Sequence, residues 1–236
     1  MISKNSCPDL IDFVEGEVIL LDKPKGFTSF DMIREIKKSV HIKKIGHAGT
    51  LDPHASGLLI LCTGRKTKMM SHFQSMYKVY VGEMCLGATT ASFDLEQPIE
   101  KTFKLDDLTE INILKARVQF TGKISQVPPV YSALKLKGRS LYKYAKMGEE
   151  VIPEPREVEI FEFEIINIAL PYIQFFVKCS KGTYIRSLVH DFGKALNNGA
   201  YLSALRRTAI GDNLVSDALL PDEFTALLNT KIINTI

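Results

Sequence analysis

Hydrophobic and polar positions change period several times along this chain, and each change marks an element. The apolar run from Glu17 to Leu21 ends in the turn D-K-P-K-G and reads as a short strand. Thr28 or Ser29 then caps a helix reaching about Val40, with Phe30, Ile33 and Ile36 at roughly helical spacing. A glycine-punctuated loop from Gly46 to Gly57, G-H-A-G-T-L-D-P-H-A-S-G, leads into a buried strand from Leu58 to Thr63. Lys66 to Ser75 predicts a helix, and Tyr77 to Leu86 a strand with alternation in Y-K-V-Y-V.

In the second half, Ala88 to Thr102 reads as a polar connection and Asp106 to Phe120 as a helix with an acidic first turn. The prolines of Gln126 to Leu134 force an extended backbone, and Ser140 to Met147 is a short helix carrying Tyr142 and Tyr144. Arg156 to Ile168 and Tyr172 to Cys179 are β-branched and aromatic runs joined by A-L-P, predicting adjacent antiparallel strands. Thr183 to Leu196 has an amphipathic helical pattern, and Tyr201 to Ile210 closes the series as a strand. Without a regular strand-helix-strand cadence, the mixture argues for an α+β fold over a doubly wound parallel sheet. No repeat, low-complexity tract or linker interrupts residues 1–236, so a single domain is expected.

Length supports that expectation, since a chain of 236 residues buries roughly 70 to 75% of its unfolded surface. The start of the chain has no basic segment, apolar run and cleavage site of a secretory signal. No apolar run approaches the roughly 20 residues needed to span a bilayer, so a cytoplasmic protein without membrane contact is expected. Cys7, Cys62, Cys85 and Cys179 form no C-x-x-C pair, and Cys62 and Cys179 sit in apolar runs as buried structural thiols.

Charge is mild in sum, at +3, but uneven. Eight basic residues lie between Arg34 and Lys68 (Arg34, Lys37, Lys38, Lys43, Lys44, Arg65, Lys66, Lys68) against Glu35 and Asp52 alone. A second cluster, Lys135, Lys137, Arg139, Lys143 and Lys146, interleaves Tyr142 and Tyr144 and contains no acid. Each cluster by itself fits a solvated face; together with the aromatics they favour a nucleic acid, whose phosphates attract cations and whose bases stack on rings.

Asp52 is the residue this charge pattern leaves to be explained. A lone carboxylate beside bound phosphates is repelled unless it acts on the base or sugar of the ligand. The alternative is an Asp-Pro turn whose carboxylate accepts local backbone hydrogen bonds. The residues alone leave both open. His47, Asp52 and His54 match no helical metal-ligand pair, and no metal is expected. T-G-R-K-T lacks the glycine a phosphate loop needs five positions before Gly64, and there is no G-x-S-x-G nucleophile elbow.

The segment G-H-A-G-T-L-D-P-H-A-S-G-L-L-I-L-C-T-G-R-K-T-K closely resembles the catalytic segment of the TruB family of tRNA pseudouridine synthases, G-H-x-G-T-L-D-P-x-A-x-G-x-L. L-L-D-K-P-K-G at Leu20 to Gly26, Tyr77, Q-V-P-P-V-Y-S-A-L-K at Gln126 to Lys135, G-R-S-L-Y-K-Y-A at Gly138 to Ala145, K-C-S-K-G-T-Y-I-R at Lys178 to Arg186 and L-R-R-T at Leu205 to Thr208 agree in order and spacing. The resemblance covers about residues 15 to 215. It implies the pseudouridine synthase fold, a mixed and mostly antiparallel central sheet flanked by helices. It also implies isomerisation of uridine at position 55 in the T loop of tRNA, with no cofactor.

Carried over residue by residue, Asp52 is the catalytic aspartate, Arg186 the arginine that pairs with it and Tyr77 the ring that stacks on the target base. His47 helps displace the target nucleotide, Leu205 walls the pocket, and Lys23, Gly49, Lys66 and Lys135 join the substrate-binding set. An arginine within a few ångströms would lower the pKa of a carboxylate sealed under a base by about 1 to 3 units. Extruding a stacked uridine costs a few kcal/mol, which phosphate contacts would offset, and a structured stem-loop suits recognition by shape. Whether Asp52 attacks sugar or base, or removes a proton, stays open.

Two departures stand out. The family's T-D-T-x-D reads T-A-S-F-D at Thr90 to Asp94, so the hydrogen bonds of the usual aspartate at Ala91 are absent or supplied elsewhere, with Asp94 the candidate. Only 29 residues follow Arg207, too few for the C-terminal RNA-binding PUA domain of many relatives, and salt-sensitive tRNA binding by a monomer is expected. Rival readings are a tRNA-binding folding helper that needs no chemistry and a synthase of the same fold acting on another RNA.

Overall fold

The computed structural model describes residues 1–7, 11–13, 15–40 and 42–233, with side chains to residue 229. Residues 8–10, 14, 41 and 234–236, part of the expected 1–236 domain, lie outside that description. In chain order the elements are β1 (Val18–Lys23), α1 (Ser29–Ser39), β2 (Ile45–His47), β3 (Ala55–Thr63), α2 (Met70–Ser75) and β4 (Lys78–Leu86). A hairpin of β5 (Ala88–Thr90) and β6 (Ile99–Thr102) follows, then α3 (Glu110–Val118), β7 (Gly122–Gln126), β8 (Lys135–Leu136), β9 (Arg139–Ser140) and α4 (Leu141–Lys146). The chain closes with β10 (Arg156–Ala169), β11 (Tyr172–Cys179), α5 (Ile185–Ala195), β12 (Ala200–Ile210), β13 (Asn213–Leu214) and α6 (Pro221–Ile233).

These elements form two compact units, one of Met1–Tyr80 with Leu205–Ile236 and one of Val81–Ala204. In the first, β3 pairs antiparallel with β1 and β2 and parallel with β12. The apolar runs of β1 and β3 bury both faces, which explains why they are continuous rather than alternating. Ile19, Leu21, Leu59 and Leu61 point to one side, against Met32, Ile33 and Ile36 of α1 and Phe224 and Leu228 of α6. Val18, Leu20, Leu58, Ile60 and Cys62 point to the other, with Phe73 of α2 and Ile210. Each such aliphatic side chain contributes about 1.5–3 kcal/mol of burial free energy. Burial pushes the Cys62 thiol up to about 11, as suits an inert core residue.

In the second unit, which holds residues 81–86 of β4 and 200–204 of β12, the strand order is β12-β4-β11-β10-β7. β10 pairs antiparallel with β11 and β7. Phe163 of β10, Phe175 of β11 and Phe192 of α5 meet edge to face at 5.8 Å in the core, and Phe120 tilts onto Phe192 at 5.6 Å. Within this unit β12 is bound to β4 by Ser203, whose hydroxyl donates to the Glu83 carbonyl and carboxylate at 3.0 and 2.8 Å.

The expected α+β class, with a mostly antiparallel sheet and flanking helices, is the observed one. The structure corrects several details. Phe30 is 57% exposed, and Met32 takes its place beside Ile33 and Ile36. Gly46 and His47, read as loop, belong to β2, and the polar stretch from Ala88 to Thr102 contains a hairpin. The helix read from Asp106 starts only at Glu110, after Thr109 accepts the Asn112 N–H. Tyr144 is buried under the Arg139 guanidinium, 3.7 Å from its ring, so that face is already occupied. Among the described residues no helix is long and apolar enough to cross a membrane.

Candidate active site

In the first unit, the loop that carries Asp52 is fixed on every side by its backbone. Thr28 and Asp31 form a capping box at the start of α1, which leaves the next hydroxyl, Ser29, free to turn inward. Ser29 Oγ accepts the Leu51 N–H at 2.9 Å and donates to the Leu51 carbonyl at 3.1 Å, closing both polar groups of the residue before Asp52. The Gly26 N–H donates to the Pro53 carbonyl at 2.8 Å, and the Ala55 N–H to the Asp52 carbonyl at 3.0 Å.

The fourth clasp is a buried cation that the motif reading missed. Arg207 on β12 is 1% exposed, and its guanidinium donates to the carbonyls of Leu58 at 2.7 Å, Gly49 at 3.1 Å and Thr50 at 3.4 Å. Gly57 lies between two such cations, because its register partners are Lys23 on β1 and Arg207 on β12. A Cβ at Gly57 would lie 2.3 Å from the Arg207 carbonyl oxygen and 2.7 Å from its nitrogen, and the φ of +104° favours glycine in any case. Gly49 also has a positive φ, +110°.

Lys23 is fully buried and donates to the Phe27 and Pro24 carbonyls at 2.7 and 3.0 Å. Desolvation pulls its pKa down to about 8; the Asp52 carboxylate opposes that shift and the Arg207 charge adds to it. His47 on β2 is held below its ordinary pKa, first by burial and then by Arg207, with the Gly49 backbone pulling the other way. Its Nδ1 is buried without a geometrically sound hydrogen-bond partner. Leu205 pairs with Ala55, and Arg206 makes a bidentate pair with Asp22 at 2.6 and 3.1 Å. The unit thus gathers Asp52, Lys23, His47, Gly49 and Leu205 around one loop. Tyr77, directly before β4, donates its hydroxyl to Asp212 at 3.2 Å, and Lys66 is exposed on the 3-10 turn Gly64–Met69.

In the second unit Arg186 is 3% exposed in the first turn of α5. Gln126 sets the start of that helix: its side-chain amide accepts the Tyr184 N–H at 2.7 Å and donates to the Tyr184 carbonyl at 3.0 Å. The Arg186 guanidinium donates to the carbonyls of Ser92 at 3.1 Å and Tyr131 at 3.0 Å, and its Nε lies 3.6 Å from the buried Asp94 carboxylate. Asp94, and not the half-buried Ala91, supplies the acid in this segment. Lys135 is exposed at the start of β8.

The sequence profile described as TruB family pseudouridylate synthase (N terminal domain) matches residues 37–185. A protein of Flavobacterium johnsoniae named tRNA pseudouridine synthase B is 49% identical over 215 residues, 88% of this chain and 94% of its own length. The chain belongs to the TruB family of pseudouridylate synthases. A Phocaeicola vulgatus TruB relative, also named tRNA pseudouridine synthase B, is 43% identical over 96% of this chain and 99% of its own. Among solved structures, a chain of a Cbf5–Nop10–Gar1 complex superposes with a TM-score of 0.74 at 28% identity over 97% of this TruB chain. This TruB chain spans 60% of that longer one. The expected pseudouridine synthase fold is therefore present.

Proposed function

We propose that this TruB chain isomerises uridine to pseudouridine in tRNA, at position 55 of the T loop, with Asp52 as the catalytic carboxylate. The observation that carries the reading is the Asp52 loop itself. A carboxylate on a loop held by four backbone clasps, next to a buried lysine and inside strongly basic sequence, supports action on a flipped base or its sugar.

The chemistry breaks the bond between N1 and C1′, turns the uracil and forms a bond from C1′ to C5, after which the C5 hydrogen leaves as a proton. No electrons are gained or lost. An ionised Asp52 serves this by adding to the sugar or base or by accepting a proton. Lys23 is a cation that keeps such a carboxylate ionised when water is excluded, and the family resemblance gives Arg186 the same task. Tyr77 supplies a ring for the base, Leu205 an apolar wall, and His47 aids displacement of the nucleotide. Gly49, Lys66 and Lys135 belong to the tRNA-binding surface, and the protein acts as a cytoplasmic monomer.

Tritium release from tRNA transcripts labelled at uridine C5 tests this, with wild type and Asp52→Asn compared in EDTA. Release by the wild type and its loss in Asp52→Asn is the expected result. Equal release from both removes Asp52 from the reaction, and no release from either replaces catalysis with a binding role. Moving release to a tRNA whose position 55 is already modified would overturn the assigned site.

A further inference from the structure

The loop of Thr90–Asp94 turns through Phe93 with φ of +62°, a left-handed conformation that is strained for a bulky side chain such as phenylalanine. Its ring lies flat on the imidazole of His190, with centroids 3.8 Å apart and planes 12° from parallel. Its backbone is held as well, since the Leu202 N–H donates to the Phe93 carbonyl at 2.9 Å.

His190 follows Arg186 by four residues on α5, so both side chains leave the same face of the helix one turn apart. Together they grip three successive residues. Arg186 takes the Ser92 carbonyl and the Asp94 carboxylate, and His190 takes the Phe93 ring between them. The Nδ1 of His190 is buried without a hydrogen-bond partner, so packing against Phe93 sets the plane of the imidazole. Burial, with help from Lys194, pushes the imidazole down to about 4, and the ring is neutral near pH 7.

We propose that the Phe93–His190 stack is a positioning device that fixes the strained loop and, through Ser92 and Asp94, the direction of the Arg186 guanidinium during uridine isomerisation. The proposal rests on the assignment of Arg186 to the reaction. Phe93 and His190 are positioning residues, acting only through Arg186.

The test combines steady-state kinetics on tRNA with amide hydrogen exchange of the segment 90–97, using wild type, Phe93→Gly, His190→Leu and His190→Phe. Phe93→Gly removes the ring while relieving the left-handed φ, so its fold is retained. Expected are an approximately 10-fold fall in kcat with KM within about 3-fold in Phe93→Gly and His190→Leu. Exchange at residues 92–94 should rise in both. His190→Phe, which restores a stacked ring, should recover kcat and slow exchange. Full kcat in Phe93→Gly and His190→Leu, a change confined to KM, or no rescue by His190→Phe would overturn the proposal. An inactive wild type would defeat the proposed function instead; the exchange contrast would then decide by itself whether the stack orders the loop.

Discussion

Replacing Ser29 with alanine removes one oxygen and strands two backbone groups. The hydroxyl is 3% exposed and closes both the N–H and the carbonyl of Leu51, itself 4% exposed. A buried group left without a partner costs about 1–3 kcal/mol, so the pair costs about 2–4 kcal/mol after allowing for partial relaxation. Alanine is the better helix former by a few tenths of a kcal/mol, less in the first turn, which leaves a net loss of about 2–3 kcal/mol. For a chain of this length that corresponds to a fall in Tm of about 5–10 °C. The peptide that loses its clasp joins directly to Asp52, so kcat should drop about 10- to 100-fold with little change in KM. Thermal unfolding and tritium release on purified Ser29→Ala measure both numbers. A Tm within about 1 °C of wild type together with unchanged kcat would show that the loop is held without Ser29.

Further tests address the two cations beside the loop. With its pKa at about 8, Lys23 loses its proton in the folded protein well before it does so in the unfolded chain. Its buried charge is therefore a cost below pH 8 that is relieved as pH rises from there toward 10.5, and wild type should gain stability relative to Lys23→Met over that window. Activity should move the opposite way, because Asp52 loses a neighbouring cation: kcat declines as pH passes about 8, and Lys23→Met lacks that limb. A flat wild-type profile from pH 7 to 9 counts against the coupling. Gly57→Ala would force a Cβ into the Arg207 backbone and should cost about 3 kcal/mol or more, read as a lower urea midpoint; an unchanged midpoint refutes the packing described.

The parts of this fold that were legible in the sequence are those whose cause is local. The capping box of α1, the paired runs of β10 and β11 and the glycines of the Asp52 loop lie within a few residues of what they determine. Strand β2 was hidden because three residues, I-G-H, are too few to show a period, and Phe30 misled because an apolar residue at helical spacing need not face the core. Helix α6 went unread although Pro221, Asp222 and Glu223 form an acidic N-terminal turn. Within the candidate site, the motif marked Asp52, Lys23, His47 and Gly49, yet neither Ser29 nor Arg207 could be assigned its task. Ser29 acts on Leu51 across 22 residues, and Arg207 acts on Leu58 across 149, through a parallel register that no local pattern encodes.

That distance has a consequence for synthesis. The ribosome delivers Asp52 well before Arg207, so the loop cannot be locked until β12 has emerged. If the continuous segment Val81–Ala204 folds first, its two ends meet where Ser203 bonds Glu83. Closing a loop of roughly 120 residues then becomes closing one of a few, a saving of about 3 kcal/mol in chain entropy. A nascent chain stalled before β12 would carry every residue of the aspartate motif without its Arg207 clasp, so locking of the Asp52 loop is coupled to synthesis of β12.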